Sequence, residues 1–203
     1  GKEHFSLLSG GLDSRVAVLY AEKMQLNPDK MFCFSQSNYL DETISRKIAE
    51  KFNFDYHFAP LDGGIFLKNI DKMVSISEGM VLYTGSIHVD FAMQQFYQEQ
   101  FGLIHSGQIG DGVLGGFNMI PDVQKPTNKK IVVNSHFLPK VYENLEKIKS
   151  QYEREELFYL RNIAFNRAVF GGQVFQQFSY QTSPFMTKDF MSFAASLPEK
   201  WKF

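Results

Sequence analysis

Residues 9–14 read Ser-Gly-Gly-Leu-Asp-Ser and lie between a short apolar run, Phe5–Leu8, and an amphipathic stretch, Arg15–Met24. That order predicts strand, glycine turn, helix. Such a turn aims consecutive backbone N–H groups and a helix N-terminus at one point, which makes an anion site. Lacking Cβ atoms, Gly10 and Gly11 let the backbone come close to a phosphate. Ser9 and Ser14 add hydroxyl donors. Asp13 as a bare carboxylate repels phosphate, so its place is as ligand to a Mg²⁺ that the phosphates also hold. A plain Gly-rich turn with a Ser or Asp helix cap needs neither both serines nor both glycines.

The flanking pattern extends this unit. Lys30–Ser35 is a continuous apolar run of strand length, and Asp55–Pro60 is a further strand. Between them Ile44, Ile48 and Phe52 recur at helical spacing, with Asp41 placed as N-cap. Phe66–Ser77 and His88–Gln100 read as helices, and Gly102–Ser106 as a strand ending in Ser-Gly. The alternation over residues 5–106 predicts a parallel sheet with helices on both faces, whose ligands bind beyond the carboxyl ends of the strands. Residues 118–130, rich in Pro, Asn and Lys, read as an exposed linker. Asn134–Phe170 is helical in pattern, with Val141, Leu145, Ile148 and Tyr152 on one stripe and the charges of Glu143–Glu156 on a solvated face. Gly171-Gly172 breaks that run, and a last helix covers Thr187–Leu197 with Thr187 as N-cap. The 21 phenylalanines read as core filling.

A second constellation follows the last of these strands. His105–Phe117 reads His-Ser-Gly-Gln-Ile-Gly-Asp-Gly-Val-Leu-Gly-Gly-Phe, five glycines and one Asp directly after a strand. Should the sheet set this loop beside the first, Asp111 and Asp13 share one Mg²⁺. The formal net charge of −1 offers no basic face for nucleic acid. Cys33, the only cysteine, falls within a predicted strand, which excludes an internal disulfide or a cysteine-based zinc site. His4, His57, His88, His105 and His136 lack metal-ligand spacing. No apolar run is long enough for a membrane span and no signal peptide is visible, so a cytoplasmic location is expected. The chain opens on Gly1-Lys2-Glu3 and closes on Trp201-Lys202-Phe203, and a longer parent protein is expected.

Ser9–Ser14 resembles the Ser-Gly-Gly-x-Asp-Ser signature of the ATP pyrophosphatases, the PP-loop. Ser106, Gly107, Asp111, Gly115, Gly116 and Phe117 resemble the Ser-Gly-Glu-Gly-Ala-Asp-Glu…Gly-Gly-Tyr segment of asparagine synthetases. Looser likenesses lie at Phe32–Ser35, Asp41-Glu42, His57, Pro184-Phe185-Met186 and Leu197-Pro198. The resemblance implies an α/β fold: a Rossmann-like doubly wound parallel sheet of the adenine nucleotide alpha hydrolase type with a C-terminal helical part. Residues 1–117 would form the ATP-binding core, and 118–203 the linker and helical part of the same synthetase domain. It implies ATP and Mg²⁺, a small carboxylate activated as an acyl-adenylate with release of pyrophosphate, and attack by ammonia or an amine. A glutaminase domain or other ammonia donor would lie outside this chain. Carried over, Ser9, Gly10, Gly11, Asp13 and Ser14 hold the pyrophosphate and its Mg²⁺, and Asp111 is a second metal ligand. Asp13 and Asp111 are thus the catalytic pair, while Leu8, Phe34, Ser106 and Gly107 lie near the adenosine. Glu78 and Tyr83–Ser86 fall in a loop that can line the acceptor pocket.

The departures are as informative. The family's acid–base Glu is Gly112 here, Gln108 replaces the first Glu of that loop, and Ile109 replaces a Gly. The Asp of the Pro-Phe-Leu-Asp segment is Thr187; the family's phosphate-contacting Lys segment lies beyond that region, and this chain ends at Phe203. A glycine moves no proton, so the amine step needs another base or a nucleophile already deprotonated. Two alternatives therefore stay open: a catalytically impaired nucleotide-binding module of the same fold, and another PP-loop ATP pyrophosphatase.

Overall fold

A computed structural model of the chain describes residues 3–26, 30–81, 86–96, 102–115, 126, 128–132 and 134–202. Strand β1 (Phe5–Leu7) begins at a fully buried phenylalanine, and the chain turns at Gly11 into α1 (Leu12–Lys23). Then come β2 (Lys30–Ser35), α2 (Leu40–Phe52) and β3 (Tyr56–Pro60). Helix α2 ends at Asn53 in the left-handed conformation, φ 55°, with its N–H returned to the last turn, a common helix stop for asparagine. After α3 (Ile70–Ile76) and α4 (Ile87–Phe96), β4 (Ile104–His105) completes the order anticipated over residues 5–106.

All strand pairings are parallel, in the order β3-β2-β1-β4-β5, with β5 at Gln181–Thr182. Phe5 stands opposite Lys30 on one side and Ile104 on the other. The chain therefore leaves β1 in one direction to build β2 and β3, and later returns to add β4 on the opposite side. That reversal is the switch point of a doubly wound sheet, where a crevice opens beyond the strand ends.

Each face of the sheet is covered, which is why β2 is apolar almost throughout. On one face Phe5, Phe32, Ala59 and Ile104 pack against Met73, Ile87, Ala92, Met93 and Phe96. Phe32 stacks on Phe96 at 4.2 Å and meets Phe5 edge-on at 4.7 Å. Burying one such side chain is worth roughly 1.5–3 kcal/mol. On the other face Leu8, Val18 and Met31 pack against Ile48, Phe54 and Tyr56. Cys33 is buried in β2 as its sequence setting required.

After α5 (Gly110–Leu114) come the short α6 (Asn128–Ile131), then α7 (Leu138–Lys149), α8 (Glu155–Tyr159) and α9 (Lys188–Ser196). Ile109 and Val113 join Ala164 and Ala194 in a separate cluster, which anchors the second glycine loop to the C-terminal part. No described helix is long and apolar enough to cross a membrane.

Several local expectations change. Phe66–Ser77 is not one helix: a 3-10 coil over Asp62–Asn69, kinked where Gly63 and Gly64 take positive φ, precedes α3. The helical stretch from Asn134 is interrupted between α7 and α8, and Val141 and Ile148 stay exposed while Leu145 is buried. Gly171 and Gly172 do not end it but lie inside a 3-10 coil, Ala168–Gln177. Glu155 and Glu156 are buried, not part of a solvated face: Glu156 accepts from buried Lys202 at 2.6 Å and from Arg154 at 2.8 Å. Helix α1 docks through Ser14 and Val18 and leaves Leu12, Val16 and Tyr20 exposed; Met24, just past its end, is exposed too. Thr187 caps α9 as expected, its side chain accepting from Phe190 N–H. Of the expected linker, residues 118–125 and 127 lie outside the described residues, as do Gly116, Phe117, Tyr83, Thr84 and Gly85.

Candidate functional site

The two glycine loops leave the carboxyl ends of adjacent strands, β1 and β4, and they touch. A Cβ on Gly107 would stand 2.4 Å from Ser14 N and 2.6 Å from Asp13 C, both backbone atoms. A Cβ on Gly110 would stand 2.7 Å from Asp13 Cγ. Gly107 must therefore be glycine for the loops to close, and a side chain at position 110 would displace the Asp13 carboxylate. Across that contact Asp111 N–H donates to Asp13 Oδ2 at 2.9 Å.

The first loop is internally bonded. Ser9 N–H donates to Ser14 Oγ at 3.0 Å, and the two hydroxyls lie 2.9 Å apart. Gly11 N–H donates to Ser9 Oγ at 3.1 Å. Gly10 N–H donates to Asp41 Oδ1 at 2.9 Å. The amides that the sequence assigns to an anion are thus engaged by the chain's own oxygens. Asp41 departs from its expected role: Tyr39 stands at the α2 N-cap, and the Asp41 side chain reaches across to the first loop. Glu42 behaves as a helix-start carboxylate, accepting from Asn38 N–H at 2.6 Å and from Arg46 at 2.8 Å.

The second loop is anchored from β5. Gln181 Nε2 donates to Ser106 Oγ at 2.9 Å, and Ser183 Oγ donates to Gln108 O at 2.9 Å. Ile109 adopts φ 62°, a left-handed conformation rare for a β-branched residue and costly by about 1–3 kcal/mol. Burial of its side chain among Val113, Ala164 and Ala194 holds it there. The backbone thus keeps a conformation suited to glycine where the residue is isoleucine, and the strained turn aims Asp111 N–H at Asp13.

The carboxylate pair fits a hard divalent ion. Each carboxylate has one oxygen on a backbone amide, Asp13 Oδ2 on Asp111 and Asp111 Oδ1 on Gly112 at 2.8 Å. Among the described residues no protein donor bonds Asp13 Oδ1 or Asp111 Oδ2. Burial, reinforced by the Asp111 charge, pushes the Asp13 carboxyl above its ordinary value, while the Asp111 amide opposes this. Two like charges brought together call for a positive ion between them. No group of three or more His, Cys, Asp or Glu suited to a metal occurs among the described residues. An ion here would complete its shell with phosphate oxygens and water, as Mg²⁺ does.

The residues expected near adenosine divide. Ser106 and Gly107 sit at the loop contact. Phe34, near the end of β2, is half-buried with its ring 5.6 Å from that of His88. The Leu8 side chain is fully buried against Val18 and Met31, so it belongs to the core. Three supports are not predicted by the sequence: the Asp41 tie, the anchors Gln181 of β5 and Ser183 just after it, and the buried Lys202–Glu156 pair. The adjacent charges of Asp41-Glu42 were the one available signal for the first; the others depend on long-range pairing.

The family model described as asparagine synthase matches residues 3–174. No curated protein matches the sequence. A match over most of the chain, together with a five-stranded parallel sheet bearing both glycine loops at its switch point, shows that the chain belongs to the asparagine synthase family.

Proposed function

We propose that this chain is the synthetase domain of a carbon–nitrogen ligase that spends ATP, yielding AMP and pyrophosphate, to join a small carboxylate to ammonia or an amine. The observation that carries this reading is the Asp111 N–H to Asp13 Oδ2 bond across two loops that only glycine lets meet. Asp13 and Asp111 would hold Mg²⁺, which supplies charge neutralisation for the departing pyrophosphate. Ser9, Gly10, Gly11 and Ser14 would direct N–H and O–H donors at the same charge. Phe34, Ser106, Gly107 and the backbone of Leu8 would border the adenosine. Residues 118–203 would complete the same domain, with the ammonia donor outside this chain and the protein in the cytoplasm. Incubation with ATP, Mg²⁺, ammonium as nitrogen donor and a panel of acidic substrates tests this by product analysis. AMP and pyrophosphate in equal amounts are expected, and ADP would contradict the reading.

A second reading has one observation in its favour. Gly112, buried in α5, stands where the family carries its acid–base Glu and has no group to move a proton. In this reading the chain binds ATP without turnover. Calorimetric binding with no product, and turnover gained in Gly112→Glu, would favour it over the first.

A further inference from the structure

One of the groups engaging the first loop carries a full negative charge. Asp41, whose Oδ1 takes Gly10 N–H at 2.9 Å, comes from the first turn of α2 and not from the loop. The backbones are pressed together as well, since a Cβ on Gly10 would lie 2.7 Å from Leu40 O. The turn presenting Asp41 is braced. Asn38 is left-handed at φ 64° with its N–H on Glu42, and Ser37 N–H donates to Asp62 Oδ1 at 2.9 Å. Beside it opens a cleft of about 600 Å³ lined by Gly10, Asn38, Tyr39, Leu40 and Asp41.

We propose that Asp41 is a resident stand-in for phosphate, and that it makes polyphosphate binding conditional on a divalent cation. This rests on the reading of the two loops as a Mg²⁺–triphosphate site. One amide proton does not serve a carboxylate and a phosphate oxygen at full strength. A phosphate oxygen that takes Gly10 N–H comes within about 4 Å of the Asp41 carboxylate, where like charges repel. Asp13 and Asp111 add their own charges where the two loops meet. Metal-free polyphosphate therefore meets three carboxylates. A cation held by Asp13 and Asp111 would cancel their two charges and itself attract the phosphate oxygens. The Asp41 side chain then gives up Gly10 and turns into the cleft that it lines. Asp41 acts as a specificity-determining residue that admits the metal complex and rejects the free anion.

The test is calorimetric titration of the whole chain with inorganic pyrophosphate, in Mg²⁺ and in EDTA, for wild type and Asp41→Asn. Asparagine keeps an acceptor oxygen for Gly10 N–H and removes only the charge. Wild type is expected to bind pyrophosphate at least ten-fold more weakly in EDTA than in Mg²⁺. Asp41→Asn is expected to bind the metal-free anion at least ten-fold more tightly than wild type does. Mg²⁺-dependent binding in wild type with metal-free affinity unchanged in the variant would overturn the proposal alone. Absence of binding in both proteins under both conditions would overturn the site reading and this proposal with it. If Asp41→Asn does not fold, the Gly10 amide resonance of wild type decides. It shifts on adding Mg²⁺ and pyrophosphate if Asp41 is displaced, and an unmoved resonance under saturating ligand refutes the displacement.

Discussion

Replacing Gly107 by alanine should pry the two loops apart. The added Cβ meets Ser14 N at 2.4 Å, Asp13 C at 2.6 Å and Ser14 Cα at 2.8 Å, all backbone atoms that cannot rotate aside. Overpacking of this kind costs about 1–3 kcal/mol. Separating the loops also breaks the Asp111 N–H bond to the Asp13 carboxylate, a charge-assisted bond of about 1.5–3 kcal/mol. The sum, roughly 2.5–6 kcal/mol, corresponds to a fall in Tm of about 5–24 °C in a chain of this length. Gly11→Ala is the control within the same motif. Its Cβ would meet only the movable Ser9 Oγ at 3.2 Å, at an ordinary φ of −68°, so a loss under about 1 kcal/mol is expected. Thermal unfolding by circular dichroism reads stability, and calorimetry with Mg²⁺ and ATP reads the site. A Gly107→Ala protein that melts within 2 °C of wild type and binds Mg²⁺–ATP with unchanged affinity would refute the backbone contact and the site built on it.

Asp13→Asn should separate stability from function. Because burial raises the Asp13 carboxyl in the fold, its ionised form is penalised there, and the penalty fades as pH falls through the raised value toward the ordinary aspartate range. At pH 7 the variant should melt above wild type and lose Mg²⁺-dependent ATP binding, with the Tm difference vanishing in acid. His88 is held below its ordinary value by burial, so the unfolded chain binds the proton more readily and stability falls as pH drops below about 6.5. His88→Phe, beside Phe34 and Phe66, should flatten that part of a urea-midpoint profile, and an unchanged slope would argue against a buried neutral imidazole. Lys202→Ala strands Glu156 with Arg154 as its remaining partner and should cost about 3 kcal/mol by urea unfolding. A loss below about 0.5 kcal/mol would mean that the pair is solvated.

The parts of this protein legible in its sequence are those fixed by short-range chemistry. Lys30–Ser35 appears as a strand at the anticipated residues because an unbroken apolar run of that length suits only a doubly covered strand. The first loop was readable because strand, glycines and helix follow one another within a dozen residues. The second acquired meaning from the first, and the adjacency of β1 and β4 brings Asp111 to Asp13. What stayed hidden depends on residues far apart. Asp41 has the composition and place of a cap, and only the packing of Leu40 on Gly10 redirects it to the loop. β5 is two residues long and polar, so no periodicity marks it; its partner β4 does. The charges of Glu155 and Glu156 suggested solvent, yet Lys202, 46 positions beyond Glu156, supplies the counter-charge that lets that carboxylate be buried. Isoleucine itself disfavours a left-handed backbone; the family's Gly at position 109 is the one local hint of it, and the cluster around the Ile109 side chain holds that conformation.

Electron paramagnetic resonance of Mn²⁺, used as the Mg²⁺ substitute and titrated with the chain and ATP, addresses the shared ion directly. Wild type should immobilise Mn²⁺ only when ATP is present, and Asp13→Asn and Asp111→Asn should each release it at the same ATP concentration. Retention of the immobilised signal when both aspartates are replaced would contradict a metal–triphosphate site at the meeting of the two loops.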